Sequence, residues 1–250
     1  MMTNKAKEIG ANNTNFVTPH GLDDPNHYTT AYDLSLIADY ALDIPQIAQI
    51  VKQKYYTINI NNNPKQIKNT NPLLGTLNGV DGMKTGFTNN AGRCLVTSVT
   101  RDDWQLIFVI LGCDTSKQRT KESIDMIEYC YKNYEIVDLL KIAQTEYENT
   151  KVKVNKGKQE YVETMVEDTQ NIIPLEKKYD GKINLEYEVC QEAEAPVYGN
   201  QKLGVCYLKI NDEVICQMNI ISKNDVYKKD EVDYFREIIY NISNYLQIKL

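Results

Sequence analysis

Val80-Asp81-Gly82-Met83-Lys84-Thr85-Gly86-Phe87 closes an apolar stretch and leads into two further runs, Arg93 to Val99 and Gln105 to Leu111, both rich in β-branched residues. Gly79 to Gly86 reads as a strand, broken by Thr88-Asn89-Asn90-Ala91-Gly92. The two runs after it, joined by Arg101-Asp102-Asp103, read as a hairpin. From Lys117 to Tyr134 the apolar period becomes helical, with Ile124, Ile127 and Tyr131 on one face and Cys130 and Tyr134 beside it. Strands followed by a packing helix predict an α/β fold in which an antiparallel sheet is covered by helices. Within the first strand, Lys84-Thr85-Gly86 offers a fixed positive charge, a hydroxyl and a position without a side chain. Charge and hydroxyl suit a substrate carboxylate or a reacting hydroxyl, and the glycine admits a close backbone approach.

Upstream, Thr3 to Ile9 reads as the tail of a helix stopped by Gly10. Thr30-Ala31-Tyr32-Asp33 resembles a capping box with Asp in place of Glu. It opens a helix whose buried stripe is Leu34, Ile37, Ala38, Ala41 and Leu42. Pro45 begins a second short helix, and Tyr55 to Ile60 reads as a strand stopped by Asn61-Asn62-Asn63-Pro64.

Beyond about Glu135 the character changes. Ile183, Leu185, Tyr187 and Val189 alternate with polar residues, and Val214, Cys216, Met218 and Ile220 nearly do so after an Asn211-Asp212 turn. The last segment returns to a helical stripe of Phe235, Ile238, Ile239, Ile242 and Leu246. The division is therefore 1–135 as an α/β part, 136–228 as a small β-rich domain and 229–250 as an amphipathic helix.

The 250 residues suffice for one large domain or two modest ones. A net charge of −6, with no clustered basic surface evident, argues against nucleic acid as a partner. The six cysteines form no C-x-x-C pair, and with only His20 and His27 to add, no metal site is expected. Most of the cysteines sit at apolar positions, where a free thiol acts as a small hydrophobe. The first residues lack a signal peptide's apolar core, and no segment reaches a membrane span.

The motif set as a whole resembles the serine-type D-alanyl-D-alanine carboxypeptidases, low-molecular-weight penicillin-binding proteins of bacterial cell-wall metabolism. Carrying the resemblance are Pro19-His20-Gly21-Leu22, then His27 through Leu34. Asn69-Thr70-Asn71-Pro72-Leu73-Leu74 and the Gly79 to Thr88 region continue it, as do Ala91 through Val96, Gln118 through Ser123, and the β-rich half with Ala195-Pro196-Val197. It implies a penicillin-binding, β-lactamase-like catalytic domain, here incomplete. It also implies hydrolysis of peptidoglycan stem peptides ending in D-Ala-D-Ala through a serine acyl-enzyme, without a cofactor. Lys84, Thr85 and Gly86 would then be the catalytic strand. Lys84 supplies positive potential, Thr85 bonds the terminal carboxylate and Arg119 neutralises it. The Phe87 N–H gives half of an oxyanion hole and Thr88 lines the pocket. Neither histidine has a role in that chemistry.

The family's other two motifs, Ser-x-x-Lys and Ser-x-Asn, do not precede Lys84. Thr150-Lys151-Val152-Lys153 has the first spacing and Ser222-Lys223-Asn224 matches the second, but both follow Lys84 in the wrong domain and read as coincidences. The expectation is a chain that starts within the helix after the second motif, inactive by itself. β-lactams would bind if the missing half were supplied, and the family setting is extracytoplasmic, at the cell envelope. A non-catalytic envelope scaffold keeping the carboxylate-binding strand is the alternative. A serine β-lactamase relative is disfavoured by the second domain. The terminal helix, 232–250, has two readings: a foot on the membrane surface, or a helix packed on the β domain.

Overall fold

The computed structural model describes residues 1–169, 171–179 and 183–245. The chain divides into two units, Met1–Asn133 and Tyr134–Leu250, and each is described by itself.

The first unit contains α1 (Met2–Glu8), α2 (Ala31–Leu42), α3 (Pro45–Val51), β1 (Tyr55–Ile60), β2 (Asn63–Lys68), β3 (Lys84–Thr88), β4 (Gly92–Arg101), β5 (Trp104–Cys113) and α4 (Ser116–Asn133). α1 ends ahead of Gly10 at φ +89°, a left-handed position where glycine is at no disadvantage. α2 is capped by Thr30, whose hydroxyl accepts the Asp33 N–H at 3.1 Å. The reciprocal half of a capping box is absent. The buried Asp33 carboxylate instead accepts the Asn13 N–H and the Thr14 hydroxyl, each at 2.7 Å, and so pins the 12–22 loop to the helix. α3 starts with Pro45 in its first turn.

The sheet runs β3-β4-β5, all antiparallel. Its hairpin turn is the two-residue Asp102-Asp103, with φ of 49° and 60°, the left-handed pair that matches strand twist. α4 lays Ile127, with Ile124, Cys130 and Tyr131, on Leu95, Val99 and Phe108, and Leu73 completes this core. The Tyr131 hydroxyl lies 2.6 Å from the Val99 carbonyl and 2.9 Å from that of Trp104. Its helix is thereby fixed to both strands of the hairpin.

Three expectations are corrected here. The regular ladder begins at Lys84, not Gly79. Residues 79–83 keep single backbone bonds to β4, and side chains complete the rest of their hydrogen bonding. Asn63-Pro64 does not stop the hairpin. It starts β2, with Pro64 opposite Asn59, and the turn is Asn61-Asn62 alone, both at positive φ. A proline is compatible with this two-stranded ribbon because each strand has one edge free. Tyr134 leaves the helical stripe and starts a strand of the second unit.

That unit contains β6 (Tyr134–Asp138), α5 (Leu139–Glu146), β7 (Lys151–Asn155), β8 (Tyr161–Val166), β9 (Ile172–Glu176), β10 (Ile183–Val189), β11 (Glu192–Glu194), β12 (Lys202–Ile210), β13 (Glu213–Ser222) and α6 (Glu231–Tyr245). Six strands form a sheet in the order β10-β12-β13-β8-β7-β11, and β6 pairs with β9. The alternation read from sequence places Cys216, Met218 and Ile220 in one core with Leu139, Ala143, Cys206 and Leu208. A second core is valine-rich, built on Val152, Val154, Val162 and Val197. α6 is held at its start by Lys158, which bridges Asp230 at 3.0 Å and Asp233 at 2.9 Å. Its stripe of Phe235, Ile238, Ile239 and Ile242 remains exposed rather than packed on the sheet. Leu246 and Lys249 lie outside the described residues. Among the described residues no helix is long and apolar enough to cross a membrane.

Candidate functional site

β3 is an edge strand, so one side of Lys84-Thr85-Gly86 is free of a neighbouring strand within its sheet. Its path is set by the segment before it. The Gly82 carbonyl, in the interior, accepts from Asn71 Nδ2 and Thr97 Oγ1, each at 2.6 Å. Asn71 in turn accepts the Leu73 N–H at 3.0 Å, and its own N–H goes to Asn69 Oδ1 at 2.9 Å. One residue earlier, the Asp81 carboxylate gathers Thr100 Oγ1 at 2.6 Å, Gln105 Nε2 at 3.2 Å and the Ser98 hydroxyl. Such a closed network ties the strand's entry to β4 and to the 69–73 turn. A half-satisfied network in the interior would be costly, so its completeness fixes the geometry.

Lys84 is exposed and forms no ion pair among the described residues; its ammonium rests on the Thr85 carbonyl. The Thr85 hydroxyl donates to Thr70 Oγ1 at 2.7 Å, which joins the strand to the 69–73 turn. At Gly86 an added Cβ would meet nothing nearer than Cys94 Cβ, 3.7 Å away. The protein itself therefore does not require glycine there, and the empty position is open to a ligand. Phe87 is half-exposed, with the Arg93 guanidinium stacked 3.5 Å from its ring centre. The Thr88 hydroxyl accepts the Ala91 N–H at 3.0 Å and closes the β3–β4 turn.

Arg119 arrives from α4. Thr115 caps this helix, its hydroxyl accepting the Gln118 N–H at 3.1 Å and its carbonyl the Arg119 N–H at 3.0 Å. Arg119 is only 7% exposed, and its buried Nε has no hydrogen-bond partner. Burial pushes the Cys113 thiol up, as do Glu122 and Cys94, and the positive charge of Arg119 works against them. Arg119, Glu122, Asp114, Cys113 and Cys94 thus share one neighbourhood, and Cys94 is the register partner of Gly86. A hydrated ammonium, a hydroxyl and a buried arginine that forms no ion pair among the described residues suit recognition of an anionic group.

The other candidates are structural. His27 Nδ1 accepts the Val17 N–H at 3.1 Å and His20 Nδ1 that of Leu22 at 3.2 Å, so both histidines close loops. Thr150 is bonded to Tyr147 and Thr164, and Lys153 pairs with Glu192 at 3.1 Å. Ser222 is buried and donates to the Tyr198 carbonyl. All six cysteines are free thiols, Cys113, Cys206 and Cys216 buried. Sequence reasoning gave no role to Thr70, Asn71, Asp81, Thr97 or Ser98. Their signal was the polar Asn69-Thr70-Asn71 run beside apolar Leu73-Leu74, and the hydroxyls of Thr97, Ser98 and Thr100 clustered at the end of a largely apolar strand.

Comparison with known proteins places the chain's fold and sequence. Residues 1–115 match the D-alanyl-D-alanine carboxypeptidase family, and residues 138–228 match the C-terminal domain of penicillin-binding protein 5. The D-alanyl-D-alanine carboxypeptidase DacF of Bacillus subtilis is 31% identical over 236 residues, which cover 94% of this chain and 60% of that protein. DacA of Escherichia coli is 29% identical over 241 residues, covering 96% of this chain and 57% of its own length. Among solved structures, penicillin-binding protein 5 from Haemophilus influenzae superposes with a TM-score of 0.72 at 30% identity, covering 91% of this chain and 65% of that one. The fold and its edge strand are those of the penicillin-binding class: a partial catalytic α/β domain followed by a small β domain. Within that class the chain is similar to the D-alanyl-D-alanine carboxypeptidases, the low-molecular-weight penicillin-binding proteins. It spans about six tenths of the length of the curated relatives it matches.

Proposed function

We propose that this chain provides the carboxylate-recognition side of a serine-type D-Ala-D-Ala carboxypeptidase acting on peptidoglycan stem peptides at the cell envelope. Residues 1–135 carry that site, 136–228 form the β domain and 229–250 the terminal helix. The supporting observation is Arg119, a buried residue whose Nε lacks a hydrogen-bond partner and which forms no ion pair among the described residues, on the helix packed against the sheet whose edge strand carries Lys84-Thr85-Gly86. Lys84 and Arg119 hold the terminal carboxylate electrostatically, Thr85 turns its hydroxyl from Thr70 to the ligand, and Gly86 lets the peptide lie against β3. The Phe87 N–H stabilises the developing oxyanion, and Thr88 shapes the pocket through its turn.

The nucleophile and its base belong to Ser-x-x-Lys, which does not occur in these 250 residues. Without them carboxylate binding does not lead to acylation, and β-lactams are acylating ligands only where that segment is present. The same observation favours the second reading, a non-catalytic envelope module. An amide chemical-shift titration with a D-Ala-D-Ala peptide separates ligand capture from chemistry. Shifts confined to 84–88 and around Arg119, lost on amidating the peptide's terminus, support the site; no shifts there sink it. Release of D-alanine by the chain alone would refute its inactivity. For α6 the proposed partner is a membrane surface, because its stripe is exposed. Phe235→Glu with Ile242→Glu then abolishes sedimentation with anionic vesicles, and unchanged sedimentation removes the membrane foot.

A further inference from the structure

Residues 44–80 contain four lysines, Lys52, Lys54, Lys65 and Lys68, and no acid, in a chain whose net charge is −6. β1 and β2 lie inside this stretch and pair only with each other, as a ribbon apart from the main sheet. Every residue of the two strands except Ile58 is exposed. None of the four lysines forms an ion pair among the described residues. A lone two-stranded ribbon is marginal in water, so one kept this exposed gains little from packing.

The register sorts its two faces. One face pairs Tyr55 with Lys68, Thr57 with Gln66 and Asn59 with Pro64. It offers a ring, a hydroxyl, two amides and an ammonium, the groups that meet sugars and carboxylates. The other pairs Tyr56 with Ile67, the half-buried Ile58 with Lys65 and Ile60 with Asn63, an apolar patch that carries one further ammonium. The ribbon's base is joined to the candidate site. Asn69 anchors it through bonds to the Val51 and Gln53 carbonyls at 3.0 and 3.1 Å, and Thr70 accepts the Thr85 hydroxyl.

We propose that the β1–β2 ribbon is a second binding site for the substrate polymer, taking the carboxylate-bearing peptide stems of peptidoglycan beyond the one presented at Lys84-Thr85-Gly86. This rests on the carboxypeptidase reading and extends it to polymer recognition. Unpaired lysines in an acid-free stretch complement the stems' free carboxylates. A lipid surface fits less well, since the apolar patch is small and half of the ribbon is polar.

The test is co-sedimentation of the full chain with purified sacculi, measured on sacculi already trimmed of the terminal D-alanine. Trimming separates the two readings, because Thr85→Val on untrimmed sacculi tests terminal-carboxylate capture alone. The triple variant Lys52→Glu, Lys65→Glu, Lys68→Glu raises the Kd about tenfold, three exposed charges each contributing modestly. A control of equal charge change on unpaired exposed lysines, Lys7→Glu, Lys117→Glu, Lys202→Glu, stays within about twofold on the same reasoning. Wild-type binding weakens with added salt and is lost on glycan stripped of its stems by an amidase. The proposal is overturned if the ribbon variant binds as wild type does, if binding persists on bare glycan, or if the ribbon acts on anionic vesicles instead of sacculi.

Discussion

Replacing Asn71 by alanine isolates what holds the Lys-Thr-Gly strand in place. The change deletes the donor to the Gly82 carbonyl at 2.6 Å and to Thr97 Oγ1 at 3.2 Å, and the acceptor of the Leu73 N–H at 3.0 Å. Gly82 keeps Thr97 as a partner, so its carbonyl is not orphaned. The Leu73 N–H is, beside a residue 1% exposed. Two net hydrogen bonds at about 1 kcal/mol each and an orphaned donor at about 1–3 kcal/mol put the total at about 3–5 kcal/mol. Thr97→Val removes one donor, keeps the volume and leaves Gly82 with Asn71, so about 1 kcal/mol is expected. The assay is urea unfolding followed by Trp104, the single tryptophan of the chain. It sits on β5 with its ring 5.2 Å from that of Tyr131 and reports on the first unit alone. An Asn71→Ala cost no larger than that of Thr97→Val would show that the network does not position the strand.

Two glycines should part company. Gly79→Ala places a Cβ 2.4 Å from the Thr100 carbonyl at φ +80°, and should cost more than about 2 kcal/mol by the Trp104 assay. Gly86→Ala should cost under about 1 kcal/mol yet abolish the peptide-induced shifts, and intact shifts would show that the open position serves no ligand. Tyr131 titrates at about 12, raised mainly by burial, against about 10 in the unfolded chain. Because the native state holds this proton more tightly, its contribution is complete below pH 10 and is lost as pH rises toward 12. Tyr131→Phe should remove that part of the alkaline slope, and an unchanged slope would assign it elsewhere. Arg119→Met should leave the first unit as stable or more stable, since a buried side chain whose Nε lacks a partner is replaced by apolar volume, while peptide binding is lost. A large loss of stability would mark Arg119 as structural.

What was legible in the sequence was what local periodicity encodes. The α4 stripe, the β4–β5 hairpin at Asp102-Asp103 and the Pro45 start of α3 follow from spacing and turn chemistry alone. β2 was not legible because Asn-Pro is a breaker by propensity, and only pairing with β1 overrides it. The start of β3 was read five residues early because Val80 and Met83 look like strand. There, however, side chains from 71, 97, 98 and 100 supply much of the hydrogen bonding a ladder would. Those partners lie 11 to 19 positions away, beyond any local pattern. Lys84, Thr85 and Arg119 were found through family resemblance. Spacing did not indicate that Arg119 would be buried without a partner.

That burial carries the strongest argument about the site. In the first turn of α4 a cation opposes the helix dipole, and removal from water penalises it further. An ion pair usually offsets both, yet among the described residues Arg119 forms none and its Nε has no hydrogen-bond partner. Lys84, by contrast, stays in water on an edge strand, where its charge is cheap to keep and falls off quickly with distance. An arriving carboxylate gains from each differently: the lysine attracts it, and the desolvated guanidinium binds it in a medium where water competes poorly. A carboxylate reaching Arg119 supplies the partner its Nε lacks, which suits the position to recognition more than to stability.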